Sequence, residues 1–520
     1  MGMRLDQRNL MAARAGANPT VSPPRASFHG MNHLLGNHLA SGLLLACFAL
    51  VIIAILLGFI PSLTLLTALL SLAAGAFGFL RVGKNTDALN PVRVFGTIWC
   101  LCLALASLRL TTTMTDWPAT VWGYLIMALL AFIGGFWLTS RRTVRGHHPQ
   151  GRGSESELPP SEMLDPRRSL RWSFLCLLVG ISAFSYEYWL IGGIPVLAQN
   201  IDDARTIFFA TAGQWSHPEF DTLFYKIVGI LTIPCKYAVY LAIILLIQKT
   251  KKTKAQIVMA TAIIICGVLA LASQGGRSLV FDVLIFSALL FHYLRRRLRV
   301  KHLFVGGIVL FLFLSAAGYF RIAIGRPEAV HSEVERVSRL PRGPVWDNMI
   351  MGYEALTGPL EGFAQFSRDF PLLGHPSEGF LFYSFHRFVP RANIEEYLLY
   401  GNFGIVTNTF LGEFYGDFGV LGIIFGPFIL GLGYGYVYSR ALGYKSLYWF
   451  LVLAVIVGIL VYFPYLNFFS QQLTWIIDLS ALAILISLAK AGKRERLPSF
   501  FPARGRSSPV ATLSRPHVHN

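Results

Sequence analysis

Apolar runs of membrane-spanning length recur along almost the whole chain, and no other feature narrows its fold as much. They cover 39–60, 63–80, 94–112, 118–139, 172–192, 224–247, 256–273, 278–294, 303–320, 419–439, 447–465 and 473–489. A helix of about 17–25 apolar residues crosses the roughly 30 Å of bilayer hydrocarbon. The expected fold is an all-α polytopic membrane protein with about 12 transmembrane helices. A β-barrel would show short alternating segments instead. Composition agrees: 54% of the 520 residues are apolar and 14% charged, too few charges to cover a soluble surface. The 39–60 run is too long for a signal-peptide core and no small-residue cleavage site follows it, so it reads as a retained span.

Net charge is +18 and the pI about 9.8. In a soluble chain this would suggest nucleic acid. Here 32 of the 45 Lys and Arg fall in the tails and in alternate loops, all on one side of a twelve-span topology. The positive-inside rule makes that side cytoplasmic and both termini with it. The excess charge is thus an orientation signal, and no nucleic-acid partner is expected. Residues 1–37 read as a disordered tail, 38–489 as the transmembrane domain and 490–520 as a basic tail. The six cysteines all lie in apolar runs without metal-ligand spacing, so neither a disulfide framework nor a metal is expected.

The opposite side holds short turns, a segment at 193–223 and a large loop at 321–418. The loop combines acidic residues, many aromatics and eight Arg. Ser332 and Glu335 fit a capping box, and Val345, Trp346, Met349, Ile350 and Tyr353 follow helical spacing. Short helices on the outer membrane face are expected.

No P-loop, HExxH or GxSxG is present. Gly431, Gly433 and Gly435 form GxGxG inside an apolar span with no preceding strand, which favours close helix packing over nucleotide binding. Arg205, Arg277, Arg321 and Arg391 come from four separated segments to the side where charge sorting predicts few, with Arg326 close behind. Guanidinium groups bind diphosphate oxygens bidentately; each Arg alone reads first as a snorkelling or loop-paired residue, and it is their grouping on this side that points to diphosphate. Glu413 and Asp417 stand four apart where the tenth span begins and would share a helix face. They can act as bases or simply complement a helix N-terminus. His375 and His386 in the loop are further candidate bases. Within spans, Lys236, Asp282, Glu187 and Asp478 are costly to bury. Arg277 and Asp282 suggest an internal helix pair, and Lys236 a polar cavity.

These features resemble the Wzy-type O-antigen polymerases, or oligosaccharide repeat unit polymerases. The matching residues are Gly193, Pro195 and Arg205; Gly276 and Arg277 after a span; Pro390 and Arg391 late in the loop; and Thr409-Phe-Leu-Gly-Glu-Phe-Tyr-Gly-Asp-Phe-Gly-Val-Leu-Gly422 leading into a Gly-rich span. The resemblance covers 172–440 by motif and most of the chain by topology. It implies a metal- and cofactor-independent glycosyltransferase of the GT-C type in the bacterial inner membrane. Such an enzyme polymerises undecaprenyl-diphosphate-linked repeat units into O-antigen, capsule or exopolysaccharide on the extracytoplasmic face. Its partners would be the lipid-linked donor and acceptor glycans, the bilayer, a chain-length regulator and a flippase. In that reading Arg205, Arg277, Arg321 and Arg391 clamp the diphosphate, and Glu413, then Asp417 or His375, takes the acceptor's proton. Arg326, Lys236 and His386 are secondary candidates. Trp346, Phe380, Tyr383 and Tyr400 would pack on sugars or anchor at the interface.

Three other readings compete. An O-antigen ligase would share the donor, but the His expected beside Asn408 is Thr407. A twelve-span transporter would carry charged or broken helices at mid-membrane. A membrane scaffold for a polysaccharide assembly complex is compatible with the sequence in addition to catalysis.

Overall fold

The computed structural model describes residues 87–144, 158–159, 162–197, 223–274, 277–298, 343–369, 409–465 and 472–490, with scattered positions between 302 and 339. Both expected tails (1–37, and the tail beyond Lys490) and the first two expected spans lie outside the described residues. Among the described residues the structure is helical, with two isolated β-bridges, Thr111 to Ser338 and Leu164 to Lys490.

The helices are α1 Pro91–Ser107, α2 Ala119–Val144, α3 Pro166–Leu190, α4 Leu223–Thr232, α5 Pro234–Ile247, α6 Lys254–Ala272, α7 Arg277–Leu294, α8 Pro344–Asp369, α9 Leu411–Tyr444, α10 Leu447–Tyr462 and α11 Gln472–Ala489. Five segments are long and apolar enough to cross a membrane: 119–140, 166–190, 227–247, 254–272 and 411–444. Four shorter apolar helices accompany them. The chain is an all-α, membrane-embedded protein.

Local chemistry explains several starts. Proline opens α1, α3, α5 and α8, where its missing N–H and fixed φ cost nothing. The Asn90 and Asp165 side chains cap α1 and α3, and Thr253 with Gln256 forms a capping box on α6. Pro234 separates α4 from α5 within one apolar stretch, because it has no N–H to give the preceding turn.

Two close packings organise the bundle. Along α2 and α9 the backbones touch: a Cβ on Gly431 would lie 2.2 Å from the Phe132 carbonyl oxygen, and one on Gly135 would lie 2.0 Å from that of Phe428. Thr139 Oγ1 donates across the same seam to the Leu432 carbonyl at 3.1 Å. Gly431 and Gly435 thus form a packing surface, as the sequence suggests, while Gly433 between them faces open space. A second contact seats Gly180 of α3 on Cys235 of α5.

Loops rich in Lys and Arg gather at one end. Gln248 accepts from Leu164 N–H at 3.0 Å. Glu162 accepts from Ser446 Oγ, Leu447 N–H and Lys490 Nζ at 2.9, 3.0 and 3.0 Å. His292 Nε2 lies 2.8 Å from Asp87 Oδ1, while Tyr438 donates to Asp87 Oδ2 at 3.0 Å. The Leu298 N–H bonds to His292 Nδ1, so the ring proton sits on Nε2 and points at Asp87. This convergence matches the alternation of basic loops in the sequence.

One expectation needs correction. Among the described residues of the large loop stands a 26-residue helix, α8, longer than the short surface helices expected. Ile350, Tyr353, Leu360 and Phe363 are buried, while Trp346 and Met349 are exposed. The helical spacing is present, but its apolar face is spent on α1 and α9.

Candidate functional site

Glu413 and Asp417 lie at the end of the bundle opposite the basic loops, on the opening turns of α9. The helix does not run straight from them into the span. Gly419 has φ 58° and ψ −139°, which breaks α9 and turns 411–418 back against the longer part. A Cβ on Gly422 would lie 1.9 Å from the Phe414 carbonyl oxygen, and one on Gly426 would overlap the Phe414 ring. The expected shared face of Glu413 and Asp417 therefore belongs to a short folded-back helix, not to a continuous tenth span. A left-handed glycine is the only signal of this break, and the sequence there offers many glycines.

The folded-back turn is held from three sides. Phe410, just before it, stacks on Phe463 with ring centroids 4.4 Å apart, and its N–H bonds to the Phe463 carbonyl at 3.0 Å. Trp99 and Phe95 meet Phe410 edge-on at 5.4 and 5.7 Å. Tyr415 is fully buried against Tyr124, Phe363 and Phe366, and donates to the Ser367 carbonyl at 3.2 Å. Glu413 is 9% and Asp417 2% exposed. Ionisable groups so buried are costly to place and are characteristic of functional sites.

The third side is α8, which a network absent from the sequence reading ties down. Glu361 is fully buried. It accepts from Thr115 N–H at 3.1 Å, Thr115 Oγ1 at 2.7 Å, Trp117 Nε1 at 2.6 Å and Gln365 Nε2 at 3.0 Å. Arg368 donates to Thr115 Oγ1 and the Asp116 carbonyl at 3.0 and 2.7 Å. Arg109 pairs with Asp116. With every carboxylate oxygen taken by a donor, Glu361 is a structural anchor for the 108–118 loop. The only signal for it in the sequence is the Glu361–Gln365 spacing of four.

A second polar group lies inside the bundle. Lys236 Nζ pairs with Asp478 Oδ2 at 2.8 Å, and Tyr237 Oη donates to Asp478 Oδ1 at 2.6 Å. The Lys236 ammonium stands 5.7 Å from the Tyr240 ring centroid. Asp282 hydrogen-bonds Tyr462, and its expected pairing with Arg277 falls outside the described residues. The Arg277 side chain is outside the described set, although its backbone opens α7. Lys236 thus joins a charged cluster. Glu187, 2% exposed near the end of α3, has no hydrogen-bond partner among the described residues.

Arg205, Arg321, Arg326, Arg391, His375, His386, Phe380, Tyr383 and Tyr400 lie outside the described residues. Of the named site candidates, the structure places Glu413 and Asp417 together, one helical turn apart, and Lys236 within the bundle. Among the described residues no group of His, Cys, Asp or Glu is arranged to hold a metal ion. Comparison with family models, curated proteins and solved structures returns no match.

Proposed function

We propose that the chain is a membrane glycosyltransferase that polymerises polyprenyl-diphosphate-linked oligosaccharide repeat units at the face away from its basic loops. The observation carrying this reading is the pair Glu413 and Asp417, buried one turn apart at that end, within the segment of strongest family resemblance. In this reading the acceptor hydroxyl oxygen attacks the donor's anomeric carbon. The bond to the diphosphate breaks, and the lipid diphosphate leaves. Glu413 takes the hydroxyl proton, with Asp417 and His375 as weaker candidates. Arg205, Arg277, Arg321 and Arg391 would neutralise the charge developing on the leaving diphosphate. The proposed setting is an inner membrane with cytoplasmic basic loops, and the proposed frame is twelve spans of GT-C type.

The test uses purified protein in liposomes with a lipid-linked repeat unit as sole substrate. Elongated glycan on the lipid is expected, and Glu413→Gln lowers its rate about 10²–10⁴-fold, the usual loss of a general base. A full rate in that variant removes Glu413 from the mechanism. No elongation by a folded parent protein removes the reading.

A transporter is the second reading. The Lys236–Asp478 pair inside the bundle and the glycine break in α9 favour it. The same liposomes separate the two, because a transporter moves lipid-linked glycan between leaflets without lengthening it.

A further inference from the structure

Three helices meet at the basic end of the bundle. Helix α5 stops there at Ile247, α6 starts at Lys254 and α7 stops at Leu294. Both α6 and α7 pack on α5. The Lys252 ammonium donates to the Leu246 carbonyl at 3.4 Å and to that of Gln248. Arg295 Nη1 donates to the carbonyl between them, that of Ile247, at 3.1 Å. Two cations from two loops are thus fixed on three consecutive carbonyls of one helix end.

Those carbonyls explain where the cations stand, not what balances their charge. A helix C-terminus carries about half a negative charge, against two full positive ones. Among the described residues neither Lys252, Lys254 nor Arg295 forms an ion pair. Partial burial and the neighbouring Arg295 charge together hold the Lys252 ammonium below its ordinary value. Carboxylates are also scarce here. In the segments 141–171, 249–254 and 295–301, sixteen Lys and Arg stand against four acids. Two of the four are committed, Glu162 to Lys490, Ser446 and the Leu447 N–H, and Asp165 to the first N–H groups of α3. Asp87, from the next basic loop, is taken by His292 and Tyr438. The positive excess therefore holds whatever Glu155 and Glu157 meet.

The flanking helix faces are apolar and open. Val258, Ile265 and Leu269 of α6 are more than half exposed and follow Lys254 on its own side of the helix. On α7 the exposed Leu284 and Ala288 precede Arg295 by eleven and seven residues. The Arg295 N–H still bonds to the Phe291 carbonyl at 3.1 Å, so Arg295 continues that face. In a membrane-embedded chain these are lipid-facing stripes, and each ends on a cation. We propose that Lys252 and Arg295, with Lys254 beside them, bind the phosphate headgroup of an anionic phospholipid whose acyl chains lie along the outer faces of α6 and α7. Charge complementarity selects the anionic lipid, because the ammonium of a choline headgroup would sit among like charges. The inference rests on the chain's lying in a membrane and not on the transferase reading.

The test is native mass spectrometry of full-length protein in neutral detergent, supplied with phosphatidylglycerol and phosphatidylcholine of equal chain length. Preferential retention of phosphatidylglycerol is expected, weakening with added salt. Lys252→Gln combined with Arg295→Gln should lower the preference about 30-fold, the worth of two basic residues at an anionic surface. Lys254→Gln is an exposed change that leaves the α5 carbonyls capped. It should lower the preference in part, and it decides the matter if the double variant does not fold. Arg167→Gln combined with Arg171→Gln, a charge-matched change on the exposed start of α3, should leave the preference unchanged. Equal retention of both lipids by the parent, or an unchanged preference in the folded variants of Lys252, Arg295 or Lys254, overturns the proposal. So does an equal loss in the α3 variant, because the charge would then act diffusely. Full displacement of the lipid by inorganic phosphate at matched ionic strength overturns it too, since the site would then hold a free anion.

Discussion

Replacing Glu361 by alanine removes the acceptor of four hydrogen bonds, three of which tie α8 to the 108–118 loop while the fourth comes from Gln365 on α8 itself. The Trp117 indole N–H is buried and would be stranded, costing about 1–3 kcal/mol. Thr115 is only half-buried, so its groups recover part of their bonding from water. Breaking a buried charged network of this kind costs about 3–5 kcal/mol in all. The loss should be local first, because α8 and α9 keep their aromatic contacts through Phe363, Phe366 and Tyr415. Hydrogen exchange in lipid nanodiscs reads it directly: the Thr115 amide and its neighbours lose protection while the α2–α9 seam keeps its own. Glu361→Gln should fall between, because one oxygen remains but the new amide N–H₂ opposes a donor. If Glu361→Ala leaves Thr115 exchange unchanged and stability within about 0.5 kcal/mol of the parent, the range of a neutral surface change, the anchor argument is wrong.

Further outcomes follow from the packing and the charges. Gly431→Ala puts a methyl 2.2 Å from the Phe132 carbonyl oxygen, so α2 and α9 must part at about 1–3 kcal/mol, seen as a lower unfolding midpoint; an unchanged midpoint would show that the seam yields freely. Partial burial raises the Glu162 carboxyl, but Lys490, Ser446 and the Leu447 N–H outweigh it and hold the group below its ordinary value. Its contribution is therefore present above the unfolded pKa and lost as pH falls through the folded one. The melting temperature should drop on acidification, and Glu162→Gln should flatten that dependence; a variant as acid-sensitive as the parent would assign the effect elsewhere.

How far sequence reached can be seen residue by residue. Gly431 and Gly435 were legible as a packing stripe because small residues at a spacing of four on a helix have one obvious use. The burial of Glu413 and Asp417 was not legible, because hydropathy at a helix entrance fits a solvated first turn equally well. Gly419 was hidden among neighbouring glycines, since a positive φ leaves no mark in composition. The anchor at Glu361 joins residues 244 and 246 positions apart, beyond any local pattern.

The sequence by itself determined that the chain is helical, lies in a membrane and gathers its basic loops at one end. These follow from transfer free energies summed over each run and from the alternation of charge, which need no knowledge of neighbours. Only the tertiary structure decided that Lys236 meets Asp478, 242 residues away, and that Asp282 meets Tyr462. An apolar helix can turn about its axis at little cost in hydropathy. Which way its one charged residue faces is set by the side chains it packs against, through contacts such as Gly180 on Cys235.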